Sequence, residues 1–348
     1  MLRIFGKALD IAKISMLIVG AIVGAGFSSG RELSQMFVGR GAASWYTVVL
    51  VAAIIAGVSM LIMLLARKIK PNNIGQFHSV VFGRFSVIVD IFVLLNCFIV
   101  LAAMIAGLSG VGGDIGIIGL ALVPIACMIA VIIVVKGIRS LVKVNLVLIP
   151  VVIVILLVVS IPAAIGGSVL GGRLGIFPAL LYAGMNMTLA LGVFIKVRDL
   201  STQVIVVSSI VAGVIVGGLI YIILSAIAAN PDSAHAPLPI LLFARQGSAL
   251  VWAIRVSMIL SIITSIVVLL QTLTDWLQTI VKHRLIAALI IIVAAFVLSL
   301  VGFVNIVAWF YPIAGVLGII YLAWCVCYFV LSKRSGRKPP KKPVIEPG

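Results

Sequence analysis

Long apolar runs recur along the whole chain and constrain its fold more than any other feature. Ten runs of about 17 to 27 residues are each long enough to cross a hydrocarbon core of roughly 30 Å as an α-helix. The chain has 348 residues, of which 64% are hydrophobic and only 9% are charged, whereas soluble domains are about one quarter charged. These features predict an all-α integral membrane protein with ten transmembrane helices and no separate soluble domain. The predicted spans are Ala8–Ser28, Ala42–Ala66, Phe85–Gly107, Ile115–Val135, Leu141–Pro162, Gly175–Ile195, Gln203–Ala229, Leu250–Gln271, Leu285–Val301 and Ile306–Ser332.

The basic residues are unevenly divided between the two sides of this topology. The formal net charge is +17, and a basic run near the C-terminus, SKRSGRKPPKK, has a composition that can bind phosphates. With the N-terminus inside, however, most lysines and arginines between spans fall on the cytoplasmic side, as the positive-inside rule requires. We therefore expect a multi-pass protein of the cell (inner) membrane with both termini cytoplasmic. Its tail, residues 333–348, is expected to contact anionic lipid, and a nucleic-acid partner is not expected.

The reactive residue types form no cluster in the sequence. The cysteines lie in apolar runs, where they are typical of small core residues, and the CVC segment lacks the C-x-x-C spacing of redox or zinc sites. His78, His235 and His283 are expected in loops without a role. The chain is therefore not expected to be an enzyme. The first apolar run lacks a cleavage site of small residues, so we expect it to be a retained helix.

Ten spans divide into two five-helix halves of opposite orientation, residues 8–165 and 172–332. The longest connection of the first half, RKIKPNNIGQFHSVVFGRFS, follows span two and is predicted to be cytoplasmic. The longest of the second half, ANPDSAHAPLPILLFARQGS, follows span seven and is predicted to be external. The two longest connections thus occupy equivalent positions in the two halves but lie on opposite sides of the membrane. This indicates an inverted repeat, which is typical of secondary transporters.

Each half begins with a span that contains a glycine-rich or polar interruption. The first is Gly24 to Gly30, and the second is YAGMNMTLALG, Tyr182 to Gly192. Glycines of this kind also occur where helices pack closely, and for Gly20 and Gly24 alone that alternative is favoured. Interruptions at corresponding positions of two halves nevertheless indicate a binding site, so we predict that helices 1 and 6 are both broken.

A broken helix in lipid leaves polar backbone groups that protein, ion or solute must satisfy. The C-terminal end of the lower half-helix offers carbonyl groups to a cation, and the N-terminal end of the upper half-helix offers N–H groups to an anion. A zwitterion with an amine and a carboxylate suits both ends. Gly24 and Gly26 would let the backbone approach such a solute without an intervening side chain.

The segment GAIVGAGFSSGRE, together with the ten-span plan and APLPILL in the long external loop, resembles the YkvI-like family of bacterial membrane proteins. That family is related to the amino acid–polyamine–organocation superfamily, whose fold is the LeuT type of five plus five inverted helices. The resemblance covers nearly the whole chain, but only the motif of the first span is specific. It therefore implies the LeuT-type fold, with broken helices 1 and 6, more strongly than it implies a substrate.

The resemblance implies a substrate site at the two interruptions. Backbone N–H groups of Ala25 and Gly26 would bind a carboxylate, and the Ile22 carbonyl with part of residues 183–188 would bind the amine. Asn186 could reach either group or could equally form an interhelical hydrogen bond. The full set of implied substrate-binding residues is Ile22, Gly24, Ala25, Gly26, Phe27, Met104, Ala183, Met185, Asn186 and Thr188.

Arg31 and Glu32 follow the first interruption directly. Charged residues within a span are costly and usually face water or an opposite charge. Adjacent residues point to different faces of a helix, so Arg31 and Glu32 are not expected to pair with each other. Arg31 is implied as an external gate by the fold's relatives, and a solvated helix end is the alternative. No role follows for Glu32 from its position.

A sodium site is implied between spans one and eight. Hydroxyl and carbonyl oxygens are suitable ligands for a hard cation, and in the LeuT fold such a site joins a Thr-Ser pair to carbonyls at the first helix break. The alternative is that these hydroxyls bond carbonyls of their own helix. The matching groups are the hydroxyls of Thr264 and Ser265 and the backbone carbonyls of Gly20, Val23 and Ser261.

Proton coupling is the other possibility for the driving ion. Some relatives use a lysine of span five, but here the only lysine of that span is Lys143, near its cytoplasmic start. Asp90 remains a possible proton carrier, although a charge near a helix N-terminus is the simpler interpretation.

The sequence therefore predicts a secondary active transporter of small or apolar amino acids, with sodium as the coupling ion and no other cofactor. Its pocket residues are mainly apolar, and no acidic residue is expected at the centre. The alternatives are a proton-coupled carrier and a membrane sensor that binds an amino acid without carrying it. The sequence does not determine the oligomeric state.

Overall fold

A computed structural model describes residues 2–112, 117–165, 171–197, 199–244 and 248–334. The described residues are mostly helical, and their only β-structure is an isolated antiparallel bridge between Ser44 and Gly171. The α-helices are α1 (Leu2–Ile22), α2 (Ala25–Ser28), α3 (Arg31–Leu33), α4 (Trp45–Ile69), α5 (Ile74–Phe82), α6 (Ser86–Gly112), α7 (Ile117–Val135), α8 (Ile138–Ala164), α9 (Ile176–Phe194), α10 (Thr202–Ala229), α11 (Ala249–Leu277), α12 (Arg284–Ser299) and α13 (Phe303–Arg334).

Seven helical segments are long and apolar enough to cross a membrane, and two shorter apolar helices, Ala121–Val135 and Arg284–Ser299, accompany them among the described residues. Each of these nine segments overlaps one of the predicted spans. The first predicted span, Ala8–Ser28, covers most of α1 and all of α2, and the short helix α3 follows it. The protein is therefore an all-helical membrane protein. The start of the fourth predicted span and the tail at 335–348 lie outside the described residues.

The first span is interrupted next to Gly24. Helix α1 ends at Ile22, Gly24 has extended backbone, and the single turn of α2 follows. The chain then turns at Gly30, whose φ of 79° is a left-handed conformation that glycine adopts without strain. The Ser28 and Ser29 hydroxyls donate to carbonyls three residues earlier. Glycine and serine are weak helix formers, which explains why this apolar run does not continue as one helix.

The predicted interruption of span six is wrong. Helix α9 runs unbroken through Tyr182–Gly192, and its glycines serve helix packing instead. A Cβ on Gly184 would lie 2.8 Å from the Ile319 backbone nitrogen, and one on Gly192 would overlap the Thr272 side chain. Small residues allow membrane helices to approach closely, so the alternative interpretation of glycine applies here.

The long connection after span two contains α5, which the apolar pattern did not predict. His78 lies in this helix and is fully buried, so its predicted place in a loop is wrong. Its Nδ1 lies 2.5 Å from Oδ1 of Asp90 on α6, and its Nε2 lies 3.1 Å from the hydroxyl of Tyr321 on α13. His235 lies in the long loop after α10, as predicted, at the end of a short 3₁₀-helix at Pro231–His235.

The interrupted first span lies inside the helix bundle. Helix α1 packs against α8, α9, α10 and α11, and the short helix α2 packs against α6 and α11. Almost every residue from Leu17 to Gly30 is buried. The helix break is therefore surrounded by protein, as unsatisfied backbone groups at membrane depth require.

Candidate functional site

A small cavity borders the break of the first span. Its volume is about 20 Å³, room for about one water molecule. It lies between α1, α3, α6, α9, α11 and α13. Its lining residues are Ala21, Ile22, Gly24, Glu32, Val100, Met104, Asn186, Leu189, Ser265, Val268, Leu269 and Tyr311.

The structure brings some of the predicted substrate residues together at this cavity. Ile22, Gly24, Met104 and Asn186 line it, although they come from three distant parts of the chain. The Ala25 N–H group points toward the Met104 sulfur at 3.5 Å. Gly26 and Phe27 are buried in the same short helix. This part of the predicted set therefore lies in one region of the structure, at or next to the cavity.

The remaining predicted substrate residues, all on α9, do not line the cavity. Ala183 and Met185 are buried elsewhere in the packing of α9. The Thr188 hydroxyl donates to the Met185 carbonyl at 2.8 Å and accepts from the Asn96 amide at 3.0 Å, so it joins α9 to α6. The Asn186 amide donates to the Tyr182 carbonyl on its own helix at 3.0 Å. Because α9 is unbroken, its backbone does not offer the free carbonyls that the sequence predicted for an amine.

Glu32 is a candidate functional residue that the sequence interpretation missed. It lines the cavity with only 4% of its surface exposed, so the expectation of a centre without an acidic residue is wrong. The chain turns back after Gly30 and places the Glu32 side chain against Gly26, where a Cβ would overlap it. An acidic residue two positions after a glycine turn within an apolar run was the available signal.

Two tyrosines adjoin Glu32 from the second half of the chain. Tyr182 on α9 and Tyr311 on α13 are fully buried, and both lie close enough to interact electrostatically with its carboxyl group. The Tyr311 hydroxyl lies within reach of the Glu32 carboxyl group, but Glu32 Oε2 and both phenol oxygens make no hydrogen bond of good geometry among the described residues. Buried polar atoms are nearly always well hydrogen-bonded, so three such oxygens together indicate a place for a ligand, water or proton.

The predicted sodium ligands only partly fit an ion site. Ser265 fits, because its hydroxyl is buried without a partner in the described part of the chain and would lie 2.9 Å from a Cβ on Gly24 at the break. The Thr264 hydroxyl instead donates to the Ser261 carbonyl at 2.8 Å, and the Ser261 hydroxyl donates to the Ser257 carbonyl at 2.8 Å. Two of the predicted ligand groups, the Thr264 hydroxyl and the Ser261 carbonyl, thus bond to each other within α11, as in the alternative interpretation.

The other two predicted sodium ligands lie on α1 and at its end. Gly20 faces α8, because a Cβ there would lie 2.8 Å from Nδ2 of Asn145. Both amide atoms of Asn145 are buried without a partner among the described residues. The Val23 N–H group donates to the Val19 carbonyl at 2.8 Å, which continues the α1 hydrogen-bonding pattern up to the break. An unsatisfied amide therefore lies beside Gly20.

The long loop after α10 closes one side of the break. The Arg31 guanidinium donates to the Ala236 carbonyl at 3.2 Å, and the Ser34 hydroxyl donates to the Ala234 carbonyl at 2.5 Å. The Ile240 N–H group donates to the Ser29 carbonyl at 3.0 Å. We call these three contacts the loop closure. They hold residues 234–240 over the first span.

An ion-pair cluster joins three helix ends on another face of the bundle. Asp275 near the end of α11 lies 3.3 Å from Lys196, just after α9, and 2.9 Å from Arg284 at the start of α12. Arg284 also donates to the Val134 carbonyl of α7 at 2.8 Å. We call these contacts the ion-pair closure. Among the described residues, no group of three or more histidines, cysteines, aspartates or glutamates could hold a metal ion.

Comparison with known sequences gives one relative of nearly equal length. The chain is 23% identical over 352 aligned residues to the uncharacterized membrane protein YkvI of Bacillus subtilis (strain 168), which covers 93% of this chain and 97% of that protein. No family model matches the chain.

Solved structures with the same fold have low sequence identity to the chain. MhsT in complex with L-phenylalanine has a TM-score of 0.66 and 16% identity, covering 94% of this chain and 89% of that one. Mhp1, a nucleobase-cation-symport-1 family transporter with bromovinylhydantoin bound, has a TM-score of 0.64 and 16% identity over 93% and 79% of the two chains. A Na⁺-coupled sialic acid symporter has a TM-score of 0.60 and 14% identity over 94% and 85%. The chain is therefore similar to YkvI over nearly its whole length and has the fold of LeuT-type transporters, which are not enzymes.

Proposed function

We propose that the chain is a secondary active transporter of small amino acids that works by alternating access. One observation carries this proposal: the first span is interrupted beside a small cavity lined by helices of both halves, and two separate sets of polar contacts tie the elements around it together. A broken helix exposes polar backbone groups, which is costly within a membrane. Such a break is therefore expected where the exposed groups line a cavity that has a function. A carrier needs a central site that is closed from both sides in one of its states.

The proposed topology has ten spans in two inverted halves, residues 8–165 and 172–332, with both termini in the cytoplasm. In this proposal α1–α3, α4, α6, α7 and α8 form one half, and α9–α13 form the other. Helix packing supports this division. In an inverted repeat each helix of the first half has an equivalent in the second half, so α6 corresponds to α11 and α7 corresponds to α12. The structure packs α6 against α12 and, equivalently, packs α11 against α7. Likewise α4 packs against α9, and its counterpart α10 packs against α1.

In this topology the loop closure faces the outside and the ion-pair closure faces the cytoplasm of the cell. Arg31 then acts as an external gate, because its side chain holds the loop over the break. Asp275 acts on the inner side, where it holds Lys196 and Arg284 together. Transport would require the two sets of contacts to break in turn, since a carrier that opened both at once would leak.

The proposed cargo is an amino acid bound next to Gly24, Ala25 and Gly26. Support comes from the likeness to MhsT, which was solved with L-phenylalanine, and from Ile22, Met104 and Asn186 around the same cavity. The cavity has room for only about one water molecule, so binding of an amino acid requires the surrounding helices to separate. Sodium is the proposed coupling ion, with Ser265 as its side-chain ligand beside the break. Support for sodium comes from the unpaired hydroxyl and from the likeness to a Na⁺-coupled symporter.

Uptake into proteoliposomes tests this function. The purified chain is reconstituted, and the uptake of labelled L-alanine and L-leucine is measured with an inward sodium gradient, with a proton gradient and with neither. We expect accumulation above equilibrium that depends on the sodium gradient. Accumulation driven by the proton gradient alone would contradict sodium coupling. Binding of the amino acids without accumulation under any gradient would contradict transport and leave a sensor.

A further inference from the structure

The unbroken α9 leaves the amine of the proposed cargo without the acceptors that the sequence suggested. In a continuous helix the interior carbonyls are used within the helix. Some carbonyls of α9 also accept hydrogen bonds from side chains of the same helix. The Tyr182 carbonyl accepts from the Asn186 amide, and the Gly184 carbonyl accepts from the Thr188 hydroxyl. A cationic group in the cavity therefore needs another partner.

Glu32 is the one acidic side chain among the described residues that line the cavity. Its Oε2 has no hydrogen bond of good geometry in the described part of the chain, and only 4% of the residue is exposed to solvent. A carboxylate held in this way is costly unless a positive charge or a proton accompanies it.

Protein groups around Glu32 do not supply this positive charge. Arg31, its neighbour in sequence, extends to the carbonyls of His235 and Ala236 in the loop closure. The lining residues include no lysine, arginine or histidine. The titratable groups that face Glu32 from the helices packed around it are the phenols of Tyr182 and Tyr311, which carry no positive charge.

From this geometry we propose that Glu32 is the counter-charge for a protonated amine of the cargo. The substrate class is thus a small solute with an ammonium group, bound between the Glu32 carboxylate and the hydroxyls of Tyr182 and Tyr311. When no cargo is bound, a proton occupies the carboxyl group. Arrival of the ammonium group displaces this proton to solvent, and no covalent bond forms or breaks. The inference rests on the proposed function and assigns the recognition step of its site.

The test compares solutes that differ only in the amine. Binding of L-alanine and L-leucine to the purified full chain is measured by calorimetry beside propionate and 4-methylpentanoate, which lack the amine. We expect the wild type to prefer the amine-bearing member of each pair. Glu32→Gln should weaken the binding of the amines by about tenfold or more, because hydrogen bonds to charged groups are stronger than neutral ones. Glu32→Asp should retain much of the preference, and the exposed, distant Asp10→Asn is the matched control.

Two further measurements keep the test decisive if Glu32→Gln folds poorly. The wild type should bind the amines more weakly as the pH falls, since protons compete for the same carboxylate. Binding of the amines to the wild type in weak buffer should release protons, whereas a carboxyl group that is already ionised before binding would release none. Equal preference for amines in wild type and Glu32→Gln, or pH-independent binding without proton release, would overturn this inference and leave the transporter proposal intact. Absence of binding and uptake of every amino acid by the wild type would overturn the transporter proposal itself.

Discussion

Nη1 of Arg31 lies 3.2 Å from the carbonyl oxygen of Ala236 and joins the first span to a loop 205 residues later in the chain. The contact follows the helix break by only a few residues, and the loop contains the APLPILL segment. Gly30 is part of the same arrangement, because a Cβ there would lie 3.2 Å from side-chain atoms of Pro239 and Ile240. The break and the loop that covers it are thus built as one unit.

Removal of the Arg31 side-chain contact should loosen this cover. We expect Arg31→Gln to increase amide hydrogen exchange in residues 231–243 by about three- to tenfold, since one hydrogen bond contributes about 0.5 to 1.5 kcal/mol. Hydrogen-exchange mass spectrometry of the protein in detergent measures the change. Arg40→Gln, at an exposed position, is the control and should leave exchange in this loop unchanged. Equal exchange in wild type and Arg31→Gln would show that Arg31 does not hold the loop.

Ser265 and Thr264 should differ in their effect on sodium activation. Ser265→Ala removes an unpaired hydroxyl beside the break, and we expect the sodium concentration for half-maximal uptake to rise by about tenfold. Thr264→Ala should have a smaller effect, because the Thr264 hydroxyl is already bonded to the Ser261 carbonyl. Ser257→Ala, on the same helix, controls for the loss of a hydroxyl bonded within its own helix. A sodium response that Ser265→Ala leaves unaltered would remove Ser265 from the proposed ion site.

Gly184 should be intolerant of any side chain. A methyl group there would lie 2.8 Å from the Ile319 nitrogen and 2.9 Å from the Gly315 carbonyl oxygen, and backbone atoms of a packed helix cannot yield easily. We expect Gly184→Ala to lower the free energy of unfolding by about 1 to 3 kcal/mol. Thermal unfolding in detergent measures the loss. Gly218→Ala in α10, with no atom within 4 Å of its added Cβ, should be neutral or stabilising because alanine is the better helix former. Similar melting of both variants would contradict the close packing of α9 against α13.

His78 should contribute to stability by joining three helices. His78→Ala leaves Asp90 on α6 and Tyr321 on α13 without their shared partner and opens a cavity in a fully buried region. We expect a loss of about 2 kcal/mol or more in the free energy of unfolding. His235→Ala is the matched control, since the His235 side chain is exposed. A melting temperature of His78→Ala equal to that of the control would show that the contacts of His78 contribute little.

The free-energy cost of exposing polar backbone groups to lipid explains which helices could be predicted from the sequence. Runs of apolar residues predicted the helices of the described chain to within a few residues at most ends, because only long helices satisfy the backbone in a bilayer. The cluster of glycine and serine at Gly24–Gly30 marked the position where α1 gives way to shorter helices. Helix α5 was missed, because its buried face is created by α6 and α13 and not by its own sequence.

The tertiary structure alone decided the chemistry of the site. Glycines at Gly24 and Gly184 look alike in sequence, but Gly24 adjoins a cavity and Gly184 adjoins the backbone of another helix, so only the first lies at a break. The turn at Gly30 brings Glu32 back over Gly26, and residues from distant helices, Tyr182 and Tyr311, meet it there. Sequence determines which segments are apolar, since this depends on each residue by itself. Which polar groups face one another across the bundle depends on contacts between segments hundreds of residues apart, and only the folded chain defines those contacts.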